Sequence, residues 1–140
     1  MELSKTSKEM LLKEIQIVKE KMQQEKDLKK KVYFYSAIYG QLERLYNIEY
    51  HQHLQFMHLV FSVSYSAIQN RLNSIAGGDT VIPFPDNFFD EIDKLLGKIW
   101  ENIKNDEDTY LVLERISNLT YLLNGNGYYL SQKGVKVYSP

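Results

Sequence analysis

The three histidines of the chain, His51, His53 and His58, lie within eight residues of one another. An imidazole ring can bind a metal ion or transfer a proton near neutral pH, so this cluster has the clearest capacity for chemistry in the sequence. Arg44 precedes the cluster and could hold an oxyanion such as a phosphate group. The four side chains could form a metal site, an acid/base site, or simply the polar side of a helix.

The spacing of the histidines argues against a metal site. Two ligands on one helix stand three or four residues apart, whereas His51 and His58 are seven residues apart, about 10 Å along a helix axis. His53 would point to another side of that helix, and no carboxylate has a suitable spacing. The chain also has no cysteine, which excludes thiolate sites and disulfides. We therefore expect no metal ion and no cofactor.

The acid/base alternative rests on Arg44 and His51, which are separated by six residues. This pair resembles the Arg-x4-6-His element of the HEPN ribonucleases, which are all-α proteins. The resemblance implies an RNA-directed enzyme, or a nucleic-acid-binding bundle, in which Arg44 and His51 act on the phosphate and a dimer completes the site; His58 is the further candidate. The sequence departs from that family because the element lies in the first half of the chain, and because Asn47 does not adjoin the arginine.

The third interpretation is a polar strip without chemistry. On one ideal helix over residues 44–73, at about 100° per residue, Arg44, His51 and His58 fall together on a narrow polar arc. The apolar side chains of Tyr50, Leu54, Met57, Phe61, Ile68 and Leu72 lie together on another arc. This pattern is typical of a mostly buried helix with one polar side, and we favour it over the two chemical alternatives. The sequence leaves open whether residues 28–47 and 48–76 form two helices or one bent helix.

The apolar residues elsewhere repeat with a helical period, which predicts an all-α, mostly antiparallel bundle of four to five helices in one domain over residues 1–140. The first helix is expected to begin near Ser7, with Thr6 and Glu9 as a capping box. Gly40 is expected to permit a close helix crossing. The predicted apolar stripes are Leu11, Ile15, Val18 and Met22; Val32, Tyr35, Ile38 or Tyr39, Leu42 and Leu45; Phe89, Ile92, Leu96, Ile99 and Ile103; and Leu111 or Leu113, Ile116, Leu119 and Leu123.

Turn residues mark the ends of these helices. Residues 77–86 contain Gly77, Gly78, Pro83 and Pro85 and predict a loop, after which Asp86 or Asn87 could cap the next helix. Residues 124–127, with the sequence NGNG, should stop the last helix. The tail over residues 128–140 could form a short β-hairpin or an ordered extended segment, or it could equally be a flexible end.

The composition bounds the function. The 140 residues carry a net charge of −1, so no overall electrostatic field attracts nucleic acid. Nucleic acid is thus a possible partner that the net charge does not indicate. No signal-peptide or membrane-spanning segment is evident, and we expect a cytoplasmic protein that does not enter membranes. With 11 tyrosines and no motif of a known catalytic site, the sequence predicts a non-enzymatic interaction or assembly module that forms a homodimer.

Overall fold

The computed structural model describes residues 2–76, 84–121 and 123, and these contain five α-helices and no strand. The helices are α1 (Lys5–Gln24), α2 (Leu28–Ile48), α3 (Gln52–Ala76), α4 (Phe88–Lys104) and α5 (Tyr110–Tyr121). The predicted all-α bundle is confirmed. Most of the predicted loop, the stop signal at residues 124–127 and the tail over residues 128–140 lie outside the described residues.

The helices pack as a ring in the order α3, α2, α1, α4, α5, with α5 returning to α3. The pairs α1/α2, α2/α3 and α4/α5 follow one another along the chain through short connections and run antiparallel. The pair α1/α4 is also antiparallel, because Lys8 near the start of α1 contacts Asp106 just after α4. The pair α3/α5 is parallel, since His53 meets Thr109 at one end and Arg71 meets Leu123 at the other. Consequently α1, α3 and α5 all begin at the same end of the bundle.

The buried core follows the predicted stripes closely. The predicted stripe residues of α1 and α2 are buried, with Ile38 rather than its alternative Tyr39, as are Ile92, Leu96, Ile99 and Ile103 of α4. Each such side chain contributes about 1.5–3 kcal/mol through removal of its apolar surface from water. One position differs by a small rotation of the helix, since Phe88 is buried where Phe89 was expected. Of the two alternatives in α5, Leu113 is buried and Leu111 is exposed. Phe89 packs at the margin of the core, against Phe84 and Phe88.

The helix starts differ from the predictions in their chemistry. The α1 helix begins two residues early, and its N-cap is Ser4, whose hydroxyl accepts a hydrogen bond from the Ser7 N–H at 3.1 Å. The predicted capping box of Thr6 and Glu9 is therefore wrong. Asn87 does precede α4 as expected, but its backbone is left-handed with φ 65°, and its side chain makes no capping bond.

The predicted close crossing at Gly40 is also wrong. A Cβ atom at Gly40 would meet only an Arg44 guanidinium nitrogen, at 3.7 Å, which is an ordinary contact. The glycine with a close neighbour is Gly97 in α4, where a Cβ atom would lie 3.3 Å from Lys19 Nζ. That ammonium group binds the Asp93 carboxylate at 3.1 Å and the Asp93 carbonyl oxygen at 3.0 Å, which ties α1 to α4.

Replacement of Gly40 by alanine should therefore stabilise the protein. Gly40→Ala removes backbone freedom from the unfolded chain in a helix interior with room for the methyl group, and we expect a gain of about 0.5–1 kcal/mol in the free energy of unfolding. Urea titration followed by circular dichroism measures it. Gly97→Ala is the matched control and should gain less, because its methyl group displaces the Lys19 ammonium. A loss of stability in Gly40→Ala would show that α2 needs a glycine there.

Candidate functional site

The histidine segment is not part of one continuous helix. The α2 helix ends at Ile48 and α3 begins at Gln52, so Glu49, Tyr50 and His51 form the connection. Glu49 has an extended backbone with φ −122° and ψ 111°. Angles calculated on one ideal helix lose their meaning across this break. The predicted polar strip that joined His51 to His58 is therefore wrong, and each histidine has its own surroundings.

His51 caps the start of α3. Its Nδ1 atom accepts a hydrogen bond from the His53 N–H at 3.0 Å, and its carbonyl oxygen accepts one from the Gln55 N–H at 3.0 Å. These are the two bonds that an N-cap residue makes. Only a neutral imidazole can accept at Nδ1, so its proton lies on Nε2. Histidine is not among the preferred N-cap residues, which explains why the sequence did not indicate this role.

His53 is buried and connects α3 to α5. Its Nε2 atom accepts from the Thr109 N–H at 3.3 Å and lies 2.5 Å from the Thr109 hydroxyl oxygen. Thr109 is fully buried, and its carbonyl oxygen accepts the first bond of α5, from Leu113. The ring edge of Tyr110 packs against the imidazole, with centroids 4.9 Å apart. Burial lowers the pKa of His53, and the electrostatic influence of the nearby His51 lowers it further, which favours the neutral ring that accepts the Thr109 bond.

Glu49 serves the start of α1. Its carboxylate accepts hydrogen bonds from the Ser4 N–H at 3.0 Å, from the Ser4 hydroxyl and from the Ser7 hydroxyl at 2.6 Å. The bonds from the two serine side chains lower the pKa of Glu49. The resulting negative charge lies at the positive end of the α1 dipole, where it is stabilising. Glu49 thus assists Ser4, which caps α1 locally.

Residues 49–53, which we call the capping segment, therefore serve three helix starts with alternate residues. Glu49 binds the start of α1, His51 caps α3, and His53 holds Thr109 at the start of α5. These partners are backbone N–H groups and hydroxyls of the same chain. The histidine cluster thus has a full structural explanation at two of its three positions.

The other two candidate residues lie elsewhere. Arg44 is on an exposed part of α2, and its Nε and Nη2 atoms donate to the Gln41 side-chain oxygen at 2.9 and 2.6 Å. His58 stacks between Tyr39 and Tyr46, with ring centroids 5.0 and 5.9 Å away and interplanar angles of 21° and 7°. The pairing of Arg44 with His51 at a phosphate stays a prediction. No group of three potential metal ligands occurs in the described parts of the chain.

Sequence reasoning missed the outer face of α3. No Asp, Glu or Lys occurs in this 25-residue helix, and its single arginine, Arg71, is buried and donates to the Leu123 carbonyl oxygen at 2.6 Å. Leu59 and Val63 are 58% and 55% exposed. We define the α3 outer face as its exposed residues Gln52, Gln55, Leu59, Val63, Ser66, Asn70 and Asn73. The sequence contains a signal for this face, because residues 50–70 include no Asp, Glu, Lys or Arg.

The neighbouring helix α5 widens this face with apolar groups. Tyr110 and Leu111 are 44% and 60% exposed. The Tyr110 ring meets the Phe56 ring edge-on, with centroids 5.0 Å apart. A shallow groove of about 400 Å³ lies between the two helices and is lined by Gln52, Gln55, Phe56, Leu59 and Tyr110. A surface that is uncharged on α3 thus continues onto the apolar side chains of Tyr110 and Leu111 in α5.

No protein-family model matches this chain, and no curated protein sequence or solved structure matches it. Among the helices in the described ranges, none combines the length and the apolar character that crossing a bilayer requires.

The capping role of His51 predicts a stability difference between two variants. His51→Ala removes the acceptor at the start of α3 and should lower the free energy of unfolding by about 1 kcal/mol. His51→Asn keeps a side-chain acceptor of preferred type, and its stability should stay near that of the wild type. Urea titration at pH 7.5 compares the three proteins. Equal stability of His51→Ala and the wild type would remove the capping role and return His51 to the catalytic alternative.

The neutral state of His53 predicts a loss of stability in acid. Because its folded pKa lies below the unfolded value near 6.5, its contribution is complete above that pH and is lost as the pH falls through the folded pKa. The free energy of unfolding should therefore decrease from pH 7 to pH 5. His53→Gln should flatten this dependence, whereas His58→Gln should retain it. The same slope in His53→Gln and the wild type would contradict the assignment.

Proposed function

We propose that the protein is a non-enzymatic assembly module that binds a protein chain through the α3 outer face, with a homodimer as the expected form. The observation that carries this proposal is the uncharged surface of α3, with Leu59 and Val63 more than half exposed on adjacent turns.

A helix that faces only water usually carries charged residues on that side. The centres of protein–protein interfaces, in contrast, are depleted in charged residues and enriched in aromatic ones. The α3 outer face lacks charged residues along its whole length, and Tyr110 supplies an exposed aromatic ring at its margin. Burial of Leu59 and Val63 against a partner would contribute about 1.5–3 kcal/mol for each side chain.

The capping segment also supports a non-enzymatic role. A catalytic base needs its acceptor nitrogen free for the substrate. The acceptor nitrogens of His51 and His53 bind backbone N–H groups at helix starts. The acceptor nitrogens of these two histidines thus stabilise the fold and are not free to accept a proton from a substrate.

A lysine at the centre of the face should prevent assembly. In Val63→Lys a buried ammonium group would lack a partner, and we expect association to weaken at least about 100-fold. Native mass spectrometry and light scattering of the purified protein measure the dimer fraction. Tyr33→Lys is the matched control, because Tyr33 is 73% exposed on the side of α2 towards α1. It should associate like the wild type.

Both variants should keep the circular dichroism spectrum of the wild type, since both positions face solvent. A Val63→Lys protein that dimerises as strongly as the wild type would show that α3 is not the contact surface. Bound metal or oligonucleotide in the native mass spectrum would instead favour the RNA-directed alternative, with Arg44, His51 and His58 as the residues to replace first.

A further inference from the structure

We infer that the chain on the α3 outer face is a second copy of this protein, with the two α3 helices antiparallel about a two-fold axis beside Phe61. This inference rests on the proposed function, since it names the occupant and its orientation at the same surface. It follows from the order of side chains along the face, from the direction of the neighbouring helices and from the size of the surface.

The order of side chains suits a two-fold axis at this position. Antiparallel pairing beside Phe61 sets Leu59 opposite Val63 of the second copy, so the only two aliphatic residues of the face meet at its centre. The same pairing sets Gln52 opposite Asn70 of the second copy, which puts amides together at both ends. An apolar centre with a polar margin is the usual anatomy of an interface. An axis beside Ser66, in contrast, would set Leu59 against Asn73.

The polar residues of the α3 outer face can also pair with the same residues of a second copy. Each Gln or Asn side chain carries two donors and an acceptor, so two identical amide surfaces can satisfy each other. A strongly charged partner would lose the hydration of its charges against a surface that offers no countercharge. The absence of charge on α3 therefore selects an uncharged partner surface, and the chain itself provides one.

The direction of the neighbouring helices favours the antiparallel arrangement. Within one copy, α3 and α5 run parallel, which places their positive N-terminal ends side by side. A second copy in the antiparallel sense brings its own α3 and α5 with the opposite direction and offsets these dipoles. A parallel second copy would add two more dipoles of the same sign.

The surface is large enough for a specific dimer of modest size. A helix of 25 residues is about 37 Å long and about 10 Å wide with its side chains, so the α3 outer face covers about 370 Å². The adjoining α5, of 12 residues, adds at most about 180 Å². The two copies together would bury about 1,100 Å², which exceeds the roughly 1,000 Å² that a specific interface needs.

Single cysteines test the arrangement, because the natural chain has none. In the proposed dimer, position 52 of one copy lies beside position 70 of the other, while the two copies of position 52 are about 27 Å apart along the axis. A mixture of Gln52→Cys and Asn70→Cys proteins should therefore give a covalent dimer with a short bismaleimide. Each variant alone should not. A mixture of Gln16→Cys and Asn70→Cys is the control, since Gln16 is exposed on α1, and should also remain uncoupled.

The outcomes separate the two proposals. Efficient coupling of Gln52→Cys with itself would mean a parallel pair, which overturns this inference and leaves assembly through α3 in place. A dimer that survives Val63→Lys would overturn both. A wild-type chain that stays monomeric at 100 μM concentration (on the order of 10⁻⁴ M, weaker than most specific contacts) would also overturn both. If Val63→Lys then lowers the melting temperature, residues 124–140 of the same chain become the occupant to test by truncation.

Discussion

Three helix starts at one end of the bundle impose the constraint on which the rest of the structure depends. The first turns of α1, α3 and α5 each have N–H groups without partners in their own helix, and each end carries a partial positive charge. Together they would repel one another and leave donors unsatisfied. The capping segment resolves this with one carboxylate and two neutral imidazoles, which supply acceptors without adding positive charge.

This arrangement explains why the chain can close into a ring. A bundle in which each helix packs only on the next helix of the chain needs no contact between helices that are not consecutive. Here α5 packs beside α3 in the parallel direction, and the His53–Thr109 contact fixes the position of its first turn. Glu49 fixes α1 in the same region through Ser4 and Ser7. Within the described part of the chain, α3 thus packs between α2 and α5, and its outer face stays exposed.

The predictions succeeded where the cause is local. The stripes of α1, α2 and α4 could be read from the sequence because burial of one helix side needs only the helical period, as Leu11 to Met22 show. The break at residues 49–51 could not, since the groups that make Glu49 and His53 useful there, Ser4 and Thr109, are distant in sequence. The spacing of the histidines argued against a metal site, but it could not show their capping roles, which depend on those distant partners. The prediction at Gly40 failed because a glycine in a helix reveals nothing of what lies opposite.

In this chain the ionisable residues near the helix starts stabilise the fold, and exposed apolar residues form the surface proposed for binding. His51 and Glu49 have ionisable side chains that could take part in chemistry, but these bind backbone N–H groups and serine hydroxyls of the same chain. Replacement of either residue should therefore lower the stability of the fold. Leu59 and Val63, which have no reactive groups, are among the large apolar residues that the described fold leaves exposed. An exposed aliphatic pair on an uncharged helix face lowers solubility, and a partner that covers the pair removes this effect. An antiparallel second α3 would cover this pair, because its own Val63 and Leu59 would lie opposite Leu59 and Val63 of the first copy.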